Sequence, residues 1–200
     1  LTREADVQAA GELGADAIGL VFYQPSPRAV TIDQAQRLMQ VVPPFVTTVG
    51  LFVNAEPAFV SEVLSRLPLD ALQFHGDEPP GYCASFHRPW LKALRVREEL
   101  DVAAAADRYQ GAAGLLLDTF DPQVAGGSGR RFDWELVPRA MAGAVILAGG
   151  LTPENVGEAV VRVRPYAVDA SGGVEAAKGI KDRAKMSAFL KAVRDGDEAR

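Results

Sequence analysis

The feature that most constrains this chain is a repeated alternation between two kinds of segment. Short apolar runs with little polar alternation take turns with longer stretches of helical spacing along the whole chain. "DAIGLVF", "FVTTVGLFV", "LDALQF", "WLKAL", "AAGLLLD", "AVILAG" and "YAVDAS" read as strands. Such runs lack the polar face of a half-exposed strand, which points to a parallel sheet covered on both sides. "TIDQAQRLMQVV", "EPAFVSEVLSRL", "PPGYCASFH", "REELDVAAAADRY", "FDWELVPRAM", "TPENVGEAVVRV" and "KDRAKMSAFLKAVR" read as helices. A further helix, "READVQAAGELGA", is closed by glycine and precedes the first strand. Thr31 and Asn54 are expected caps, and Pro57 suits a first helical turn. The terminal "RDGDEAR" is expected to fray as a solvated tail.

Seven strands fit two α/β architectures. A closed β/α barrel has eight, so one would precede residue 1, whereas an open doubly wound sheet accommodates seven. A chain of 200 residues supports one substantial core, and no linker or biased segment divides it, so residues 1–200 read as a single domain. The net charge of −5 argues against a nucleic-acid groove while leaving room for a local pocket that takes a small anion. One cysteine, Cys83, excludes an internal disulfide, and two histidines add little material for a metal site. Cys83 falls in an expected outer helix and reads as structural. No apolar run reaches about 18 residues and no leader pattern opens the chain, so a cytoplasmic protein without a membrane partner is expected.

In either architecture chemistry gathers at the C-terminal ends of the strands. Arg28 follows the first strand, Asn54 the second, and Gln73 and His75 the third; Lys92 and Arg95 flank the end of the fourth. Asp118 ends the fifth, Gly149 and Gly150 the sixth, and Asp169 the seventh, with Ser171, Gly172 and Gly173 behind it. The fork of donors on Arg28 suits a carboxylate or a phosphate. Asp118 follows three leucines, so it must be solvated, hydrogen-bonded or used chemically; a loop cap, or a pairing with Arg130 or Arg131, would equally account for it. Asp169 has similar standing, and His75 reads as a neutral residue behind the site. The glycines of "GGSG", "AGGLTPEN" and "SGG" would serve ordinary turns. Their backbone N–H groups, with helix starts behind the last two, would also suit a phosphate.

Seven stretches, "GLVFYQPSPRAVT", "VGLFVN", "LQFHGDE", "LKALRV", "LLLDTFDPQVAGGSGRRFDW", "ILAGGLTPENV" and "VDASGGVE", occur in order over nearly the whole chain. Together they resemble the phosphoribosylanthranilate isomerase family of tryptophan biosynthesis. The resemblance implies a (β/α)8 TIM barrel lacking its first strand in these residues. It implies an aldose–ketose isomerase performing the Amadori rearrangement of N-(5-phosphoribosyl)anthranilate to 1-(2-carboxyphenylamino)-1-deoxyribulose 5-phosphate. No cofactor or metal is implied, and the chain would be a monomer or homodimer.

By the same resemblance Asp118 is the general acid and Arg28 meets the anthranilate carboxylate. The phosphate would lie against the backbone of Gly149, Gly150, Ser171, Gly172 and Gly173, with help near Gly127, while Asp169 orients a ribose hydroxyl. The family's general base is a cysteine that maps just ahead of Leu1, and Cys83 does not match it. A chain physically beginning at Leu1 is therefore expected to lose roughly 100-fold or more in turnover. Where the family usually reads "VDVSSGVE", this chain has "VDASGGVE", so Gly172 replaces a hydroxyl and shifts the phosphate toward backbone donors. Two other readings are the related histidine-pathway isomerase, whose paired aspartates Asp118 and Asp169 would permit, and a phosphometabolite-binding module without turnover.

Overall fold

Strand order decides between the two architectures. The computed structural model describes residues 1–97, 100–119 and 133–200. Strands β1 (Ala17–Val21), β2 (Thr47–Phe52), β3 (Ala71–Phe74), β4 (Trp90–Val96), β5 (Gly114–Thr119), β6 (Val145–Leu147) and β7 (Ala167–Val168) lie side by side in chain order. Every neighbouring pair is parallel. A doubly wound sheet reverses its order at a switch point, and this sheet has no reversal. The order is that of a β/α barrel, seven strands of which lie in these residues with β1 and β7 as the edges.

The connecting helices are α1 (Glu4–Leu13), α2 (Ile32–Met39), α3 (Pro57–Arg66), α4 (Pro80–Ala84), α5 (Val102–Arg108), α6 (Val156–Val163) and α7 (Arg183–Glu198). Thr31 caps α2 in a reciprocal capping box with Gln34, Pro57 sits in the first turn of α3, and Gly14 closes α1. Four expectations change. Asn54 does not cap α3: Glu56 holds that position, and the Asn54 side chain instead accepts a hydrogen bond from the Asp77 amide at 2.7 Å. "FDWELVPRAM" forms a single-turn 3-10 helix at Trp134–Leu136. No long helix starts behind Gly173. A 3-10 turn (Gly172–Val174) leads instead into an antiparallel hairpin of β8 (Glu175–Ala177) and β9 (Ile180–Lys181), and α7 begins after its cap Asp182. Finally, "RDGDEAR" is helical through Glu198, because Gly196 is buried against Val160 and the Gly157 carbonyl of α6.

The sheet separates two apolar layers by side-chain parity. Leu20, Phe52, Phe74, Leu94, Leu117 and Leu147 point outward into a continuous buried cluster shared with helical residues such as Val7, Ala35, Val60 and Val160. Burying each such side chain stabilises the fold by about 1.5–3 kcal/mol, which makes this layer the main apolar anchor. The interior holds a smaller cluster of Ala93, Leu116 and Ala148, with Ile146 against it. Parity then fixes the polar positions. Leu115 and Leu117 of β5 face the helices, so Leu116 and Asp118 face the interior.

Candidate functional site

The interior face opens at the C-terminal ends of the strands into a cleft of about 730 Å³, its solvent-open mouth included. Its walls bring together Arg28, His75, Asp118, Gly149, Gly150, Asp169, Ser171, Gly172 and Gly173, with Gln73 and Tyr23 beside them. Of the residues expected from sequence, Gly127, Arg130 and Arg131 lie outside the described residues. Lys92 is not at the rim. Its position in β4 turns it outward, where it is 2% exposed and donates to Glu78 Oε2 at 2.9 Å and to the Phe74 carbonyl at 3.2 Å. Arg95, one parity step from Leu94, donates from Nη2 to the His75 carbonyl at 3.4 Å.

Asp118 is 5% exposed and has a defined partner on each oxygen. Oδ1 accepts from the Thr119 amide at 2.8 Å, and Oδ2 lies 3.1 Å from His75 Nε2. His75 Nδ1 lies 3.1 Å from Gln73 Nε2, and all three side chains are buried. With the Gln73 amide donating to Nδ1, the histidine carries its proton on Nε2 and donates it to the Asp118 carboxylate. Rotating the Gln73 amide reverses both bonds, so the pair can accommodate Asp118 with or without its proton. Asp169, directly behind β7, lines the cleft with part of its surface open to solvent and the rest drawn away from water by the wall around it. That desolvation, followed by the negative charge of Asp118, raises its carboxyl above the usual carboxylate range.

Two glycine loops form the neighbouring wall. Gly149 and Gly150 both have positive φ, at 81° and 63°. A side chain at Gly149 would run into the Thr119 amide and hydroxyl and lie 3.0 Å from Asp118 Oδ1, so the absence of a Cβ keeps the acid in place. Gly173 has no room for a Cβ because the Leu151 carbonyl occupies that space. Asn155 stitches the first loop by accepting from the Thr152 amide at 2.9 Å and donating to the Gly150 carbonyl at 2.9 Å. Among the described residues, the amides of Gly149, Gly150, Ser171, Gly172 and Gly173 donate to no protein acceptor. Such amides at a cleft wall are available to an anion.

Sequence reasoning missed the support behind Arg28. Arg28 Nε and Nη2 donate to the two oxygens of Glu175, at 2.7 and 2.8 Å. Lys181 Nζ donates to the same carboxylate at 3.0 Å and to the Ser171 carbonyl at 2.8 Å. Glu175 was visible as the last letter of "VDASGGVE", but nothing local marks it as a partner of an arginine 147 positions away. No cluster of three metal-ligating side chains occurs among the described residues, and no helix there is long and apolar enough to cross a membrane.

Comparison with known proteins bears on this arrangement directly. The family profile described as N-(5'phosphoribosyl)anthranilate (PRA) isomerase matches residues 1–192. An N-(5'-phosphoribosyl)anthranilate isomerase of Pseudomonas putida is 60% identical over 194 residues, covering 97% of this chain and 94% of that protein. The crystal structure of the Thermotoga maritima phosphoribosyl anthranilate isomerase superposes with a TM-score of 0.87 at 40% identity, over 97% of this chain and 95% of that one. Another structure of such an isomerase, in complex with reduced 1-(o-carboxyphenylamino)-1-deoxyribulose 5-phosphate, matches with a TM-score of 0.80 at 37% identity, over the same shares. With the family profile matching residues 1–192 and relatives up to 60% identical over nearly its whole length, the chain belongs to the N-(5'-phosphoribosyl)anthranilate isomerase family.

Proposed function

We propose that Asp118 is the acid of an Amadori rearrangement carried out in this cleft, the step of tryptophan biosynthesis for which the family is named. The substrate, N-(5'-phosphoribosyl)anthranilate, has an aromatic carboxylate, a furanose ring and a phosphate. Asp118 protonates the ring oxygen, the C1'–O bond breaks, and the anthranilate nitrogen lone pair forms the iminium ion. Removal of the C2' proton then gives the enolamine, which tautomerises to the ketose 1-(2-carboxyphenylamino)-1-deoxyribulose 5-phosphate. The proton taken from C2' balances the one given to the ring oxygen, so nothing is consumed.

The remaining walls match the remaining groups of the substrate. Arg28 takes the anthranilate carboxylate, the free amides of Gly149, Gly150, Ser171, Gly172 and Gly173 take the phosphate, and Asp169 holds a ribose hydroxyl. The family resemblance gives the base at C2' as a cysteine, and none of residues 1–200 matches it. Cys83 is no substitute. It is fully buried on α4 among the outward-facing core, its thiol donates to the Glu78 carbonyl, and burial pushes its pKa up to about 11.

The observation that carries the reading is the joining of a buried, doubly hydrogen-bonded carboxyl to an arginine and five unpaired amides in one cleft. The test is turnover of N-(5'-phosphoribosyl)anthranilate beside the aminoaldose phosphate of the histidine pathway, with Asp118→Asn as control. Turnover of the first substrate alone, falling by roughly 10²–10⁴-fold in D118N with the fold intact, is the expected result. Equal turnover by D118N would remove Asp118 from the acid role. Turnover of the histidine-pathway substrate alone would replace the reaction.

A further inference from the structure

We infer that Glu175 is a positioning residue for substrate recognition: it holds Arg28 by one edge, leaving the other edge free for the anthranilate carboxylate, and Lys181 ties it to the phosphate loop. The inference rests on the reading that Arg28 meets that carboxylate.

The donor inventory makes the case. A guanidinium has five N–H donors in a rigid plane. Glu175 engages Nε and one hydrogen of Nη2, side on, at 2.7 and 2.8 Å. Both hydrogens of Nη1 and the second of Nη2 have no protein partner among the described residues, and one from each nitrogen lies along the edge at the end of the fork, the two side by side. Arg28 lines the cleft, so that edge is available to a planar carboxylate in the two-point geometry arginine favours. The two side chains are only 13% and 6% exposed. An arginine already fixed in this way has lost its rotational freedom before the substrate arrives, which favours binding.

The charge count matters as much as the geometry. Arg28 and Lys181 bring two positive charges against the single negative charge of Glu175, so the cluster keeps one positive charge for an incoming anion. Lys181 Nζ also holds the Ser171 carbonyl at 2.8 Å, so one buried cation links the carboxylate site to the phosphate loop. Glu175 is itself anchored. Lys185 Nζ donates to its carbonyl at 2.8 Å, and the Lys181 amide donates across to Asp6 Oδ2 at 3.0 Å. Burial alone would raise the Glu175 carboxyl, but hydrogen bonds from Arg28 and Lys181 outweigh it and hold the group below its usual value.

The experiment compares binding of two probes, reduced 1-(o-carboxyphenylamino)-1-deoxyribulose 5-phosphate and its counterpart lacking the ring carboxyl, to wild type, Glu175→Gln and Arg28→Met. E175Q keeps the shape of the side chain but loses the charge and one acceptor. Its preference for the carboxylated probe is expected to fall about 10-fold or more, with the other probe bound within about two-fold of wild type. R28M is expected to abolish the preference. If R28M abolishes it and E175Q keeps it, the positioning role is overturned while Arg28 stands as the carboxylate ligand. If R28M keeps it, the Arg28 reading fails and this inference with it. Should E175Q not fold by circular dichroism, Glu175→Asp takes its place: it retains the charge one methylene short of the fork, and an unchanged preference would overturn the proposal.

Discussion

At the scale of single residues the site depends on what is missing as well as on what is present. Gly149 is the sharpest case, because its φ of 81° and the nearness of Thr119 and Asp118 each oppose a side chain. Gly149→Ala is expected to destabilise the fold by about 1–3 kcal/mol through backbone strain and crowding, lowering Tm by roughly 3–10 °C. Turnover measured well below that Tm should fall further than the loss of folded protein accounts for, because the new methyl group displaces the Asp118 carboxyl. A melting curve and a rate at one temperature check both parts. The place of Asp118 at a strand end was legible in the sequence from the three leucines before it, whereas its partners were not, since a loop cap or an arginine would have suited it equally. Glu175 was not, because what defines it is a contact across 147 positions rather than any local pattern.

At the scale of elements, the loop from β3 to α4 is held by a buried ion pair. Glu78 accepts from Lys92 Nζ at 2.9 Å, from the Asn54 amide at 2.7 Å and from the Gly76 amide at 2.9 Å, while the Tyr109 hydroxyl donates to its carbonyl at 3.1 Å. The loop begins at His75, the partner of Asp118. Removing one member leaves an uncompensated buried charge, so Lys92→Met and Glu78→Gln should each cost about 3–5 kcal/mol. The double variant should cost clearly less than their sum, as read from urea unfolding of all four proteins. Lys92 was misplaced from sequence for a definite reason. When both faces of a strand are apolar, composition does not reveal its parity, and only the contacts to Glu78 and the Tyr109 ring fix which way the lysine turns. Asn54 was misassigned because a cap and a loop staple use the same side chain, and here the partner is the Asp77 amide. By contrast, the capping box of α2 was legible at Thr31 because it is closed within four residues.

At the scale of the whole molecule, the buried groups of the outer layer set how the fold responds to alkali. Burial raises the Cys83 thiol from its usual 9.0 to about 11, and the Tyr82 phenol from 10.0 to about 12. Between about pH 9 and 11 the unfolded chain therefore releases a cysteine proton that the folded chain keeps. The folded state then binds more protons, and stability falls as pH rises through that window, while below pH 9 it is fully present. Urea midpoints at pH 8 and 10.5 should show the fall, and Cys83→Ala should remove most of it, leaving the smaller part that Tyr82 contributes.

The architecture was legible only as a choice between barrel and open sheet, because periodicity reports strands but not their order. The seven-motif resemblance favoured the barrel, and the parallel ladder in chain order decided it. The hairpin of β8 and β9 carries a last consequence. Its Lys181 amide hangs on Asp6, and its Gly179 carbonyl accepts the Thr2 hydroxyl, across separations of 175 and 177 positions. Closing loops of that length is slow and comes late in folding. On a ribosome the strands from β1 to β6 can pair as they emerge, but the Arg28 support cannot assemble until Lys181 has left the exit tunnel. The nascent chain therefore acquires its sheet before its Arg28–Glu175–Lys181 cluster.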